Sequence, residues 1–132
     1  MSKIDIAIMP FSAWMGITLV ETSPDLVIAE MPVRPDLCTA NNICHGGAYM
    51  AFADAIGAVA TVINLPEGTR TTTVESKTNF IAAIKSGEVA RAECRLVHKG
   101  GTTMVWQTKI LRPDGKLAAM VTQTQLVMPA RK

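Results

Sequence analysis

The chain has 132 residues, enough for one domain with a substantial core. A net charge of +2 and only six aromatic residues argue against a nucleic-acid surface built on basic patches and base stacking. Cys38, Cys44 and Cys94 are odd in number and lack metal-ligand spacing, so they read as free thiols in a reducing compartment, with no metal or cofactor expected.

An apolar run of only four residues, Ile6 to Met9, precedes Pro10. That is too short for a secretory leader, and the expected location is cytoplasmic. Residues 1–15 read as a short helical arm on which Ile4, Ile8, Phe11 and Trp14 share a face. Ile17–Glu21 and Leu26–Val33 read as strands around a Ser23-Pro24-Asp25 turn, and Arg34-Pro35-Asp36 leads out of the second.

The next thirty residues, Leu37 to Pro66, carry one formal charge, Asp54. Alanines and the absence of proline between Gly46 and Ile63 predict a helix over 46–63. Tyr49, Phe52, Ile56, Val59 and Ile63 share one face, and the other side is mostly alanine. Such a helix is either enclosed by protein or spans a membrane. A carboxylate at the centre of a span costs about 2.5–3.5 kcal/mol, and alanine returns little, so a protein-wrapped helix and no membrane are expected. Ahead of it, Asn41, Asn42, Gly46 and Gly47 form a loop suited to unusual backbone angles. The first N–H groups of the helix make a place for negative charge.

Beyond the helix the period becomes two. Arg70–Ile84, Glu88–His98, Thr102–Arg112 and Lys116–Met128 read as four strands of a meander over 70–128. Their turns fall at Ser86-Gly87, Lys99-Gly100-Gly101 and Pro113-Asp114-Gly115. Arg91, Glu93 and Arg95 face away from Ala90, Ala92, Cys94 and Leu96. One long apolar helix against one six-stranded antiparallel sheet is an α+β domain over residues 1–132.

His45-Gly46-Gly47, an acid nine residues after the histidine, and this order of elements resemble the hotdog fold. More narrowly they resemble PaaI-like acyl-CoA thioesterases of the hydroxybenzoyl-CoA thioesterase superfamily. Pro10-Phe11, Val33-Arg34-Pro35, Thr78-Asn79-Phe80 and His98-Lys99-Gly100 add to the likeness. The resemblance implies a curved sheet wrapped round the helix and hydrolysis of an acyl-CoA substrate. It also implies homodimers that pair again into homotetramers.

The same resemblance assigns roles. Asp54 is the base or nucleophile, the Gly46 N–H receives the oxyanion, and Thr73 holds the attacking water. For His45 two roles stay open, shaping the loop or orienting substrate on one hand and acting directly in catalysis on the other. Gly47 permits close approach of the thioester. Many relatives carry Asn or Gln six residues before the histidine; here that position is Thr39, and Asn41 or Asn42 is the candidate to supply an amide. Lys99 is the first choice to meet a phosphate of coenzyme A.

Gly46 and Asp54 are eight residues apart, about 12 Å along one helix. Groups acting on one carbonyl each need to lie within roughly 3 Å of reacting atoms. The expectation is therefore a two-fold dimer in which Gly46 of one subunit meets Asp54 of the other. Two other readings stay open: a non-catalytic acyl-CoA-binding or regulatory module, and a hotdog hydratase or dehydratase.

Overall fold

The computed structural model describes residues 4–130. Helix α1 (Pro10–Trp14) precedes strands β1 (Thr18–Thr22) and β2 (Leu26–Pro32). Helix α2 (Gly46–Asn64) follows, then β3 (Arg70–Phe80), β4 (Val89–Lys99), β5 (Thr103–Leu111) and β6 (Leu117–Met128). The six strands form one antiparallel sheet that wraps α2, as the hotdog resemblance implies.

The expected face of α2 is the buried one. Tyr49, Phe52, Ile56 and Val59 sit against Val27, Ala29, Ala92, Trp106, Ile110 and Val121 of the sheet. Each large side chain enclosed in this way contributes about 1.5–3 kcal/mol. The Trp106 indole donates to Thr61 Oγ1 at 2.9 Å, and that hydroxyl donates to Gly57 O at 2.8 Å. No polar atom of this Trp–Thr pair is left bare inside the core. By length and composition α2 is apolar enough to cross a bilayer (mean hydropathy 1.5), but its large side chains are spent on the sheet.

Strand order corrects one expectation. It runs β1-β2-β4-β5-β6-β3, so only β4, β5 and β6 form a meander. β3 pairs with β6 and becomes an open edge, while β2 pairs with β4. The reason lies in residues 81–88. The predicted strand ends at Phe80, because the chain turns down over the start of α2. The Tyr49 hydroxyl accepts from Ile84 N–H at 2.9 Å and donates to Ala82 O at 3.2 Å, replacing strand-pairing bonds. Burial pushes the Tyr49 phenol up to about 12, so it remains a donor. Ile84 is fully buried, and Ser86-Gly87 ties to Asn42 and Val33 instead of closing a β3–β4 hairpin.

The arm is less helical than expected: Ile6–Ile8 is a single tight turn and α1 has five residues. Residues 1–3 lie outside the described chain. Ile8, Phe11 and Trp14 are exposed, and Arg34 rests 5.0 Å over the Trp14 ring.

Candidate active site

Three local features build the site. The first is the entry to α2. Asn41 and Asn42 take φ of 66° and 57°, left-handed angles that asparagine tolerates better than most residues. Both side chains are exposed and make no hydrogen bond among the described residues; the pair serves here as backbone geometry. His45 then caps the helix, its Nδ1 accepting from Gly47 N–H at 2.8 Å. That leaves the ring proton on Nε2. It also leaves the Gly46 N–H as the amide without a partner among the described residues. Gly46 opens on a cleft of about 390 Å³ lined by Thr39, Tyr49, Phe80 and Ala82.

The second feature is an uncovered stripe on α2. Gly47, Met50, Asp54 and Val62 are exposed along it. Asp54 is therefore uncovered on one side in the single chain. No lysine or arginine pairs with Asp54 among the described residues.

The third is an irregularity in β3. The register slips between Thr73 and Glu75, so Thr71 and Thr73 face inward before the bulge and Ser76 and Thr78 after it. Thr73 Oγ1 donates to Asp54 Oδ1 at 3.1 Å. It accepts from Gln125 Nε2 at 2.7 Å and from Gln123 Nε2 at 3.3 Å. A hydroxyl has one proton and two lone pairs. All three are occupied in the single chain, and the hydroxyl proton is directed at the Asp54 carboxylate. Gln123 Nε2 also reaches Asp54 Oδ1 at 3.1 Å.

Gln123 and Gln125 are residues that sequence reasoning missed. Both are 1% exposed. The signal was in the parity of β6: Ala119, Val121, Gln123 and Gln125 point inward, and a glutamine at a core-facing position calls for a reason.

Lys99 lies elsewhere. Its ammonium donates to Asn64 Oδ1 at 3.3 Å, at the far end of α2. Eighteen residues separate Asn64 from Gly46, about 27 Å along the helix. Within one chain, then, the structure brings Asp54 to Thr73 but keeps Gly46, His45 and Lys99 apart from it.

Cys44 precedes His45 but is no nucleophile. It is buried, and burial pushes its thiol up to about 12, with Cys38 nearby adding to the effect. Burial likewise pushes Cys94 up to about 11. At pH 8 both stay protonated, and thiolate is the reactive form. Iodoacetamide applied to the folded protein at that pH is expected to label Cys38 alone. Peptide mass spectrometry checks this, and rapid modification of Cys44 would contradict its burial.

The sequence matches the Thioesterase superfamily profile over residues 41–119, more than half the chain. The proofreading thioesterase EntH of Klebsiella pneumoniae is 30% identical over 104 residues, covering 79% of this chain and 75% of the relative. The 1,4-dihydroxy-2-naphthoyl-CoA hydrolase of Escherichia coli is 28% identical over 104 residues, 79% of this chain and 76% of its own. Among solved structures, the Escherichia coli PaaI protein superposes with a TM-score of 0.85, covering 92% of this chain and 86% of that one. At 19% identity that likeness concerns the fold alone. With its six-stranded sheet round one long helix, the chain belongs to the Thioesterase superfamily, as a hotdog-fold thioester hydrolase.

Proposed function

We propose that the protein hydrolyses an acyl-CoA thioester to a free acid and coenzyme A, with Asp54 acting on the water or directly on the carbonyl. The observation that carries this reading is a carboxylate without a cation. Asp54 is exposed, is held at one oxygen by Thr73 and Gln123, and has no donor at its other oxygen among the described residues. An exposed surface acid is ordinarily left to water at both oxygens, whereas two side-chain donors fix Asp54 at Oδ1 only. This one is oriented and left available.

The Gly46 N–H is the complementary half. It is a free amide at the positive end of a nineteen-residue helix, beside a cleft. Hydrolysis needs such a donor where the carbonyl oxygen gains charge, while the departing sulfur takes a proton. Because α2 is unbroken from Gly46 through Asp54, the two groups cannot converge within one chain. The proposal therefore places Gly46 of a second copy against Asp54 of the first, giving two equivalent sites. The eleven-residue β3 edge supports this, since Val74, Phe80 and Ile81 are each 56% exposed along or just beyond it. An open apolar edge of that length invites pairing. Pairing of such dimers into a tetramer is the further assembly that membership suggests. The coenzyme A thioester, as distinct from another thioester, is supported by the name of the naphthoyl-CoA relative.

A panel of aryl and aliphatic acyl-CoAs with thiol detection tests the reading, with the reagent's background reaction with the protein subtracted. Release of free coenzyme A thiol from at least one of them is expected. Interconversion of enoyl and hydroxyacyl groups without thiol release would replace it with hydration, and binding without turnover would leave a binding module.

A further inference from the structure

We propose that Gln123 and Gln125 are positioning residues that commit Asp54 Oδ1 to the protein and reserve Oδ2 for the reacting water or thioester. The proposal rests on Asp54 as the working carboxylate. Its ground is the direction of a single hydrogen-bonded chain. Thr71 Oγ1 donates to Gln125 Oε1 at 2.9 Å, which turns Gln125 Nε2 toward Thr73. Thr73, accepting there, sends its own proton to Asp54 Oδ1. Gln123 Nε2 reaches the same oxygen, and contacts Asp54 O at 3.4 Å. A carboxylate oxygen has two in-plane lone pairs. Both at Oδ1 are taken, and Oδ2 meets no donor among the described residues.

The arrangement comes at a cost to the fold. Gln123 Oε1 is buried without a hydrogen-bond partner. It occupies the space where a Cβ on Gly57 would stand, a Cβ that would also lie 2.6 Å from Gln123 Cδ. A helix glycine and an orphan acceptor are both destabilising. An apolar side chain of the same length at 123 would remove the orphan. The amide is thus poorly explained as packing and well explained as a donor to Asp54.

Packing and positioning predict opposite results for Gln123→Met, which keeps the length and loses the amide. Positioning predicts a kcat about 10- to 100-fold lower, the worth of a hydrogen bond to a charged group. KM should stay within about twofold, and the melting temperature should hold or rise as the orphan disappears. In the Asp54→Asn background the same change should cost nothing further, since groups acting through one another are not additive. A second variant, Thr71→Val, leaves the site's own residues in place. It frees the Gln125 amide to turn, and should lower kcat about threefold with KM unchanged. Wild-type kcat in both variants would overturn the proposal, as would a lower melting temperature with kcat intact. The outcomes separate it from the catalytic reading. An active Asp54→Asn enzyme removes Asp54 itself; an inactive one beside fully active Gln123→Met and Thr71→Val removes only the positioning role.

Discussion

Asp54→Asn is expected to lower kcat by about 10²- to 10⁴-fold, the usual worth of a positioned general base. Little else should change. The asparagine oxygen still accepts from Thr73 and Gln123, the two donors that hold Asp54 Oδ1. Asp54 makes no ion pair among the described residues, so no partner charge is orphaned by the change. KM and the melting temperature should therefore stay near their wild-type values. The measurement is steady-state thiol release with a thermal melt on the same preparation. Retained turnover in a folded variant would make Asp54 a structural acid.

The second large effect concerns Gly46. Gly46→Pro removes one N–H and is expected to cost about 10²- to 10³-fold, as loss of an oxyanion donor does. Proline is well tolerated at the first position of a helix, which is where Gly46 sits. The added Cβ would lie 3.1 Å from the Phe80 ring, a tight approach to an exposed side chain that has room to move. Gly46→Ala carries the same Cβ but keeps the N–H. It should retain most activity, which separates the steric effect from loss of the donor.

The two variants also test the shared site. Mixing equal amounts of Asp54→Asn and Gly46→Pro protein under subunit exchange makes half of the dimers hybrid. Each hybrid holds one site with both groups intact, so about a quarter of wild-type activity should return. Activity that stays at the level of the parents, with hybrids shown to form by mass spectrometry, would rule out the trans arrangement.

The pattern of side-chain alternation was legible because it is local. Ala90, Ala92 and Cys94 lie opposite Arg91, Glu93 and Arg95 as read, and theirs is the buried side. The long helix and its acid stood out for the same reason: one charge in thirty residues is conspicuous. Pairing order was not legible. Nothing near Arg70–Phe80 says that its partner is β6, nearly fifty residues on, and not β4. What diverts the chain is a bond between Tyr49 and the backbone of residues 82 and 84, a contact between distant segments. The glutamines went unread because attention rested on charge. Their significance came from strand parity together with Gly57, whose missing side chain makes room for one of them. The resemblance pointed to Thr73, but a pattern of residues does not count lone pairs. Its neighbours had to be in place before its capacity could be seen to be full.

The unbroken run of α2 has one more consequence. A rigid rod fixes carboxylate and amide apart for good, so if each site draws one group from each chain, a solitary chain is inert. Turnover per molecule would then fall on dilution, and at trace levels total output would rise with the square of the amount synthesised. Assembly itself would act as the enzyme's threshold, set by how much of it a cell makes.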